Sequence, residues 1–138
     1  MIDIIVGAKG TGKTKMIIDK ANATLESKKG DAVFLTTTKR YRMEINPRIK
    51  FIDTRDEGIM SKDMLFGFIR GMLCANYDIE YFFIDGVYKM MNVTIDSAEM
   101  AELFMLLDTL GNASGVKFVL TISCDKEALP EFIAKYLA

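Results

Sequence analysis

Five short runs of nearly unbroken apolar residues recur along the chain, at Ile2–Val6, Ala32–Thr37, Ile49–Asp53, Tyr81–Asp85 and Val116–Ser123. Runs of this length without polar alternation predict strands buried on both faces, as in a parallel sheet covered by helices. The intervals between them carry helical patterns. Lys13–Lys29 follows the first run and stops at Gly30, a residue suited to a helix C-terminus. Met60–Asn76 sets Leu65, Phe68, Ile69, Met72 and Leu73 at helical spacing. Asp96 with Glu99 reads as a capping box opening a helix with Met100, Leu103, Phe104, Leu107 and Leu110 on one side and Gly111 at its end. Leu129, Phe132, Ile133, Tyr136 and Leu137 make a last apolar stripe, and Pro130 suits its first turn. This alternation predicts an α/β three-layer sandwich with a mainly parallel five-stranded sheet, organised as one domain over residues 1–138.

Composition narrows the chemistry. The chain has no histidine, which removes a Ser-His-Asp triad, a Cys-His dyad and any histidine-ligated metal. Its two cysteines, Cys74 and Cys124, lack CxxC spacing, so neither a disulfide framework nor a four-cysteine zinc site is expected. A reducing cytoplasm is the expected location. With 18 basic and 19 acidic residues the formal charge is −1, and nothing global points to nucleic acid or membrane. No apolar run approaches the ~18 residues of a membrane span, and the opening Met-Ile-Asp-Ile-Ile-Val has no basic start or cleavage site. The ten methionines read as core filler. Gly67 and Gly71, four apart, are expected to permit close helix–sheet packing.

Between the first apolar run and its helix stands GAKGTGKT, Gly7 to Thr14, which matches G-x-x-x-x-G-K-[ST] at every fixed position. The strand–loop–helix context is the one this pattern requires. Gly7, Gly10 and Gly12 free the backbone to turn successive N–H groups inward, so that Gly7, Ala8, Lys9, Gly10, Thr11, Gly12, Lys13 and Thr14 would together cradle phosphates at a helix N-terminus. Lys13 would reach the β- and γ-phosphates as a catalytic point charge, and the Thr14 hydroxyl would ligate Mg²⁺.

On these residues the chain resembles the P-loop NTPases. That resemblance implies a second signature, a buried strand ending in an aspartate that holds the metal. Tyr-Phe-Phe-Ile-Asp, ending at Asp85, is the favoured candidate, and Lys50-Phe51-Ile52-Asp53 is its competitor. The order of elements is similar to the branch of RecA-like recombinases and replicative helicases, as are the Phe51-Ile52-Asp53-Thr54 strand and the Asp85-Gly86-Val87-Tyr88 ending. It implies ATP as ligand, Mg²⁺ as cofactor and a weak or partner-stimulated ATPase. GTP is disfavoured, since no Asn/Thr-Lys-x-Asp motif occurs.

The family pattern then breaks. Gly86 stands where many ATPases place a catalytic glutamate, and Thr36-Thr37-Thr38 occupies the other usual position. Glu57, on a loop, is a weak substitute. Ser123 or Thr121 would sense a γ-phosphate, or Ser123 or Asp125 would simply cap the final helix. Cys124 reads as a small buried residue. Lys39–Lys50 holds five basic residues and one acidic, a local +4. It would contact a protein partner, a neighbouring subunit's nucleotide or, with Tyr41 stacking, a polyanion such as nucleic acid, or it is a solvated connection. Two other functions stay open: a non-hydrolysing nucleotide-responsive switch, and a small-molecule kinase with Lys39–Arg48 as its lid.

Overall fold

The computed structural model describes residues 1–27 and 29–137. Its strands are β1 (Ile2–Gly7), β2 (Asp31–Thr36), β3 (Lys50–Asp53), β4 (Ile79–Ile84) and β5 (Lys117–Ser123), and its helices α1 (Lys13–Thr24), α2 (Lys62–Ala75), α3 (Val87–Met91), α4 (Ala98–Ser114) and α5 (Glu131–Ala134). All five strands are parallel and stand in the order β1-β5-β4-β2-β3. The five apolar runs thus became strands with ends shifted by at most two residues.

Alternate side chains of the sheet serve two cores. Ala32, Phe34, Phe83 and Val119 meet Ile17, Ile18 and Ala21 of α1, with Ile45 and Ile49 closing that side. Val33, Leu35, Phe82, Ile84, Phe118, Leu120 and Ile122 point the other way, into a larger core covered by α2, α3, α4 and α5. Both faces are buried, so the strands had to be apolar throughout. This is the three-layer α/β sandwich.

Several local expectations need correction. The first helix ends at Thr24, not Lys29, because i→i+3 bonds from Leu25, Glu26 and Ser27 unwind it once the apolar periodicity stops; Lys28 lies outside the described residues. Gly30 therefore caps nothing. A Cβ there would sit 2.0 Å from the Asp78 carbonyl oxygen, so glycine is needed for close backbone approach. The cap of α4 is Ser97, whose Oγ accepts from Met100 N at 3.2 Å, while Asp96 instead accepts from Thr94 Oγ1. That helix runs through Gly111 and ends at Gly115, in the left-handed region at φ 79°. Gly111 is where the helix passes the Met1 nitrogen, 3.0 Å from its would-be Cβ. Gly67 and Gly71 do not serve packing: both are exposed, and a Cβ on either meets nothing within 4 Å. Of the ten methionines, Met90, Met91 and Met100 are buried core, but Met1, Met16, Met43, Met60, Met64 and Met105 are exposed. No helix of the described residues is long and apolar enough to cross a membrane.

Candidate nucleotide-binding site

The loop between β1 and α1 is shaped by two glycines in the left-handed region, Gly10 and Gly12, each with φ 85°. There a β-carbon would cost roughly 1–2 kcal/mol. The Ala8 carbonyl oxygen is the loop's hub. It accepts from Thr11 N at 3.3 Å, from Thr11 Oγ1 at 2.7 Å and from Lys13 Nζ at 2.9 Å. Gly7 lies beneath the loop, and a Cβ on it would come within 2.5 Å of Thr11 Oγ1. Lys9, Gly10, Gly12, Lys13 and Thr14 line a cleft of about 710 Å³, while Gly7, Ala8 and Thr11 frame the loop from behind.

Across the cleft, the chain leaves β4 at Asp85. Thr14 Oγ1 donates to Asp85 Oδ2 at 3.1 Å, and Thr121 Oγ1 donates to Asp85 Oδ1 at 2.6 Å. The same Thr121 hydroxyl accepts from Gly86 N at 3.0 Å. A buried threonine on β5 therefore continues the ladder where β4 has ended, and it orients the carboxylate. Gly86 itself turns left-handed, φ 79°, to start α3. Lys13 is nearly buried, and that desolvation lowers its pKa below the usual lysine value; Asp85 works in the opposite direction and Lys89 adds to the lowering.

Of the sequence-designated residues, the fold brings Lys13, Thr14, Asp85, Thr121 and Ser123 to this one cleft. Asp53 is elsewhere, accepting from Arg55 N at 3.0 Å at the end of the edge strand β3, and Glu57 lies in the turn after it. Asp125 precedes a 3₁₀ turn without a side-chain cap bond, and Cys124, half-buried, packs on the larger core. The basic segment divides. Lys39 is ion-paired with Asp56, which raises its pKa, and the Arg42 guanidinium lies over the Phe51 ring. Arg40, Tyr41 and Glu44, by contrast, line the cleft. Asn22 of α1 ties this segment down, donating to Glu44 O and accepting from Asn46 N, each at 2.9 Å.

Glu44 and Lys89 escaped the sequence reading as site residues. Glu44 stood inside a stretch noticed only for its positive charge, and Lys89 on a helix of five residues, too short to show a period. Lys9, Lys13, Lys15, Arg40 and Lys89 face Glu44 and Asp85, a local excess of three positive charges in a chain that sums to −1. Such a surface suits a polyanion. The hydroxyl and carboxylate oxygens of Thr14 and Asp85 suit a hard cation completed by phosphate oxygens and water. Among the described residues no three His, Cys, Asp or Glu side chains gather into a metal site held by protein alone.

Comparison with known proteins gives the fold and little beyond it. No family model matches the chain, and no curated protein is significantly similar in sequence. Among solved structures the chain is similar to a KaiC-like protein of the hyperthermophilic archaeon Pyrococcus horikoshii, with a TM-score of 0.68 and 18% identity. The likeness takes in 98% of this chain and 66% of that one. The architecture is thus the RecA-type P-loop fold.

Proposed function

We propose that the chain binds ATP with Mg²⁺ at the Gly7–Thr14 loop and hydrolyses it slowly. The observation that carries this reading is the Thr14–Asp85–Thr121 bridge, a hydroxyl and an oriented carboxylate held together at the mouth of a glycine-turned loop beside Lys13. On nucleotide binding, Lys13 exchanges the Ala8 carbonyl for the β- and γ-phosphates, and the loop amides and the start of α1 receive the remaining negative charge. Thr14 and Asp85 would hold Mg²⁺, which would supply positive charge against the phosphates. Glu44, the cleft-lining carboxylate outside that bridge, orients the attacking water.

A nucleotide-responsive switch without turnover is the second reading. It is favoured by Gly86 after Asp85 and by threonines at the end of β2, so that among the described residues no strand-end glutamate lines the cleft. The test is ATP binding with and without Mg²⁺, on wild type and Lys13→Ala, followed by phosphate release. Affinity should need Mg²⁺ and fall about tenfold or more in the variant; unchanged affinity sinks the reading. Binding without phosphate release selects the switch.

A further inference from the structure

Lys89 lies outside the glycine-rich motif, yet the fold sends it to the same cleft. Gly86 reverses the chain after Asp85, and Lys89 N donates to Gly86 O at 3.0 Å, placing the lysine one turn further on. Its stem folds back over that glycine: a Cβ on Gly86 would lie 3.7 Å from Lys89 Cδ. The side chain is exposed, lines the cleft with Lys13, Asp85 and Ser123, and among the described residues has no carboxylate within ion-pairing distance. Lys15, which shares the cleft, is paired with Asp19, and Lys39 with Asp56. Lys89 therefore brings a positive charge with no ion-pair partner among the described residues into the cleft that Lys13 also lines. Ammonium groups that share a cleft repel each other until an anion lies between them.

We infer that Lys89 is a second phosphate-binding cation, which takes the terminal phosphate of ATP from the α3 side and makes the site prefer a triphosphate over a diphosphate. The inference rests on the nucleotide-binding reading above. Lys13 serves β- and γ-phosphates alike and so favours both nucleotides. A cation reached only by the third phosphate separates them, and one supplied from the same chain does so without a neighbouring subunit.

The experiment measures dissociation constants for Mg-ATP and Mg-ADP on wild type, Lys89→Ala, Lys89→Arg and Lys13→Ala, with thermal melting to verify folding. Lys89→Ala should lose about tenfold in ATP affinity while ADP affinity stays within about twofold. Lys89→Arg should keep the preference, and Lys13→Ala should weaken both nucleotides. Equal loss for ATP and ADP in Lys89→Ala, or no loss, overturns the inference and leaves the nucleotide site standing. Indifference of both nucleotides to Lys13→Ala removes the site itself, and this inference with it.

Discussion

Thr121→Val changes almost nothing in shape and removes one oxygen. Valine is as β-branched as threonine, so the strand preference of β5 and the packing of the buried position are kept. What goes is a hydroxyl with two partners. Its bond to Asp85 Oδ1 is short, 2.6 Å, and directed at a carboxylate, a class whose net contribution is about 1.5–3 kcal/mol. Its second partner, Gly86 N–H, would be left without an acceptor at a part-buried site, which costs about 1 kcal/mol. Asp85 is half-exposed and keeps its bond from Thr14, so water recovers part of the first loss. The sum is about 3 kcal/mol, a large share of the ~5–15 kcal/mol stability of an ordinary domain. Thr121→Ser is the control. It retains both bonds and loses one buried methyl, costing about 1 kcal/mol. Urea unfolding followed by circular dichroism, without nucleotide, should rank wild type above Ser above Val. A valine variant as stable as the serine variant would mean that the hydroxyl network holds nothing, and the account of Asp85 as an oriented carboxylate would fail with it.

Other expectations concern single positions. Lys13 has a lowered folded pKa, so the folded state carries a penalty while the group is charged in both states. The penalty disappears as pH rises through that lowered value to the unfolded value near 10.5. Urea titrations from neutral to alkaline pH should therefore show wild type gaining stability relative to Lys13→Met across that window; a constant difference refutes the desolvation argument. Glu44→Gln should leave ATP affinity within about twofold and reduce phosphate release by about 10²-fold, the usual scale for a positioned acid–base group; unaltered release excludes Glu44 from the chemistry. Gly67→Ala and Gly71→Ala should each stabilise by about 0.5–1 kcal/mol, since both helical sites are exposed and open. A lower urea midpoint in either would show a contact that the fold does not contain. Gly30→Ala should destabilise by about 2 kcal/mol or more through its clash with the Asp78 carbonyl, whereas a plain C-cap glycine would cost about 1 kcal/mol. A loss no larger than that of Gly115→Ala at the end of α4 would contradict the clash.

Much of the architecture was legible because burial on two faces leaves an unmistakable trace. Phe82, Phe83 and Ile84 had to be apolar in succession, since they alternate between two cores. The loop was legible because Gly10 and Gly12 occupy backbone conformations that other residues avoid. What escaped was set by tertiary contact alone. Gly30 and Gly111 resemble helix stops by local pattern, yet what crowds each is a distant backbone atom, the Asp78 oxygen at 2.0 Å or, less tightly, the Met1 nitrogen at 3.0 Å. Ser97 won the cap of α4 from Asp96 because Thr94, two residues before, offers that carboxylate a competing hydroxyl. Thr121 was expected, with Ser123, as a sensor of a terminal phosphate, and its hold on Asp85 and Gly86 went unseen. Its partners are 35 and 36 residues away, and no periodicity reports them.

The strand order explains why that threonine has work to do. β5 stands between β1, which carries the glycine-rich loop, and β4, which carries Asp85. Neighbouring strands lie about 4.8 Å apart, so the loop's strand and the aspartate's strand are separated by roughly 10 Å. Thr14 nonetheless reaches Asp85, because the left-handed turn at Gly12 sends α1 over β5 towards β4. A carboxylate held from that side alone would swing about its own χ angles. The interposed strand supplies the second hold through the Thr121 hydroxyl, one residue beyond the last β4–β5 backbone pairing at Ile84 and Leu120. Were β1 and β4 direct neighbours, no third strand would end between loop and aspartate, and neither Thr121 nor Ser123 would have a place in the cleft. The polar ending Thr121-Ile122-Ser123 is thus the counterpart, on the inserted strand, of the lysine and threonine that begin α1.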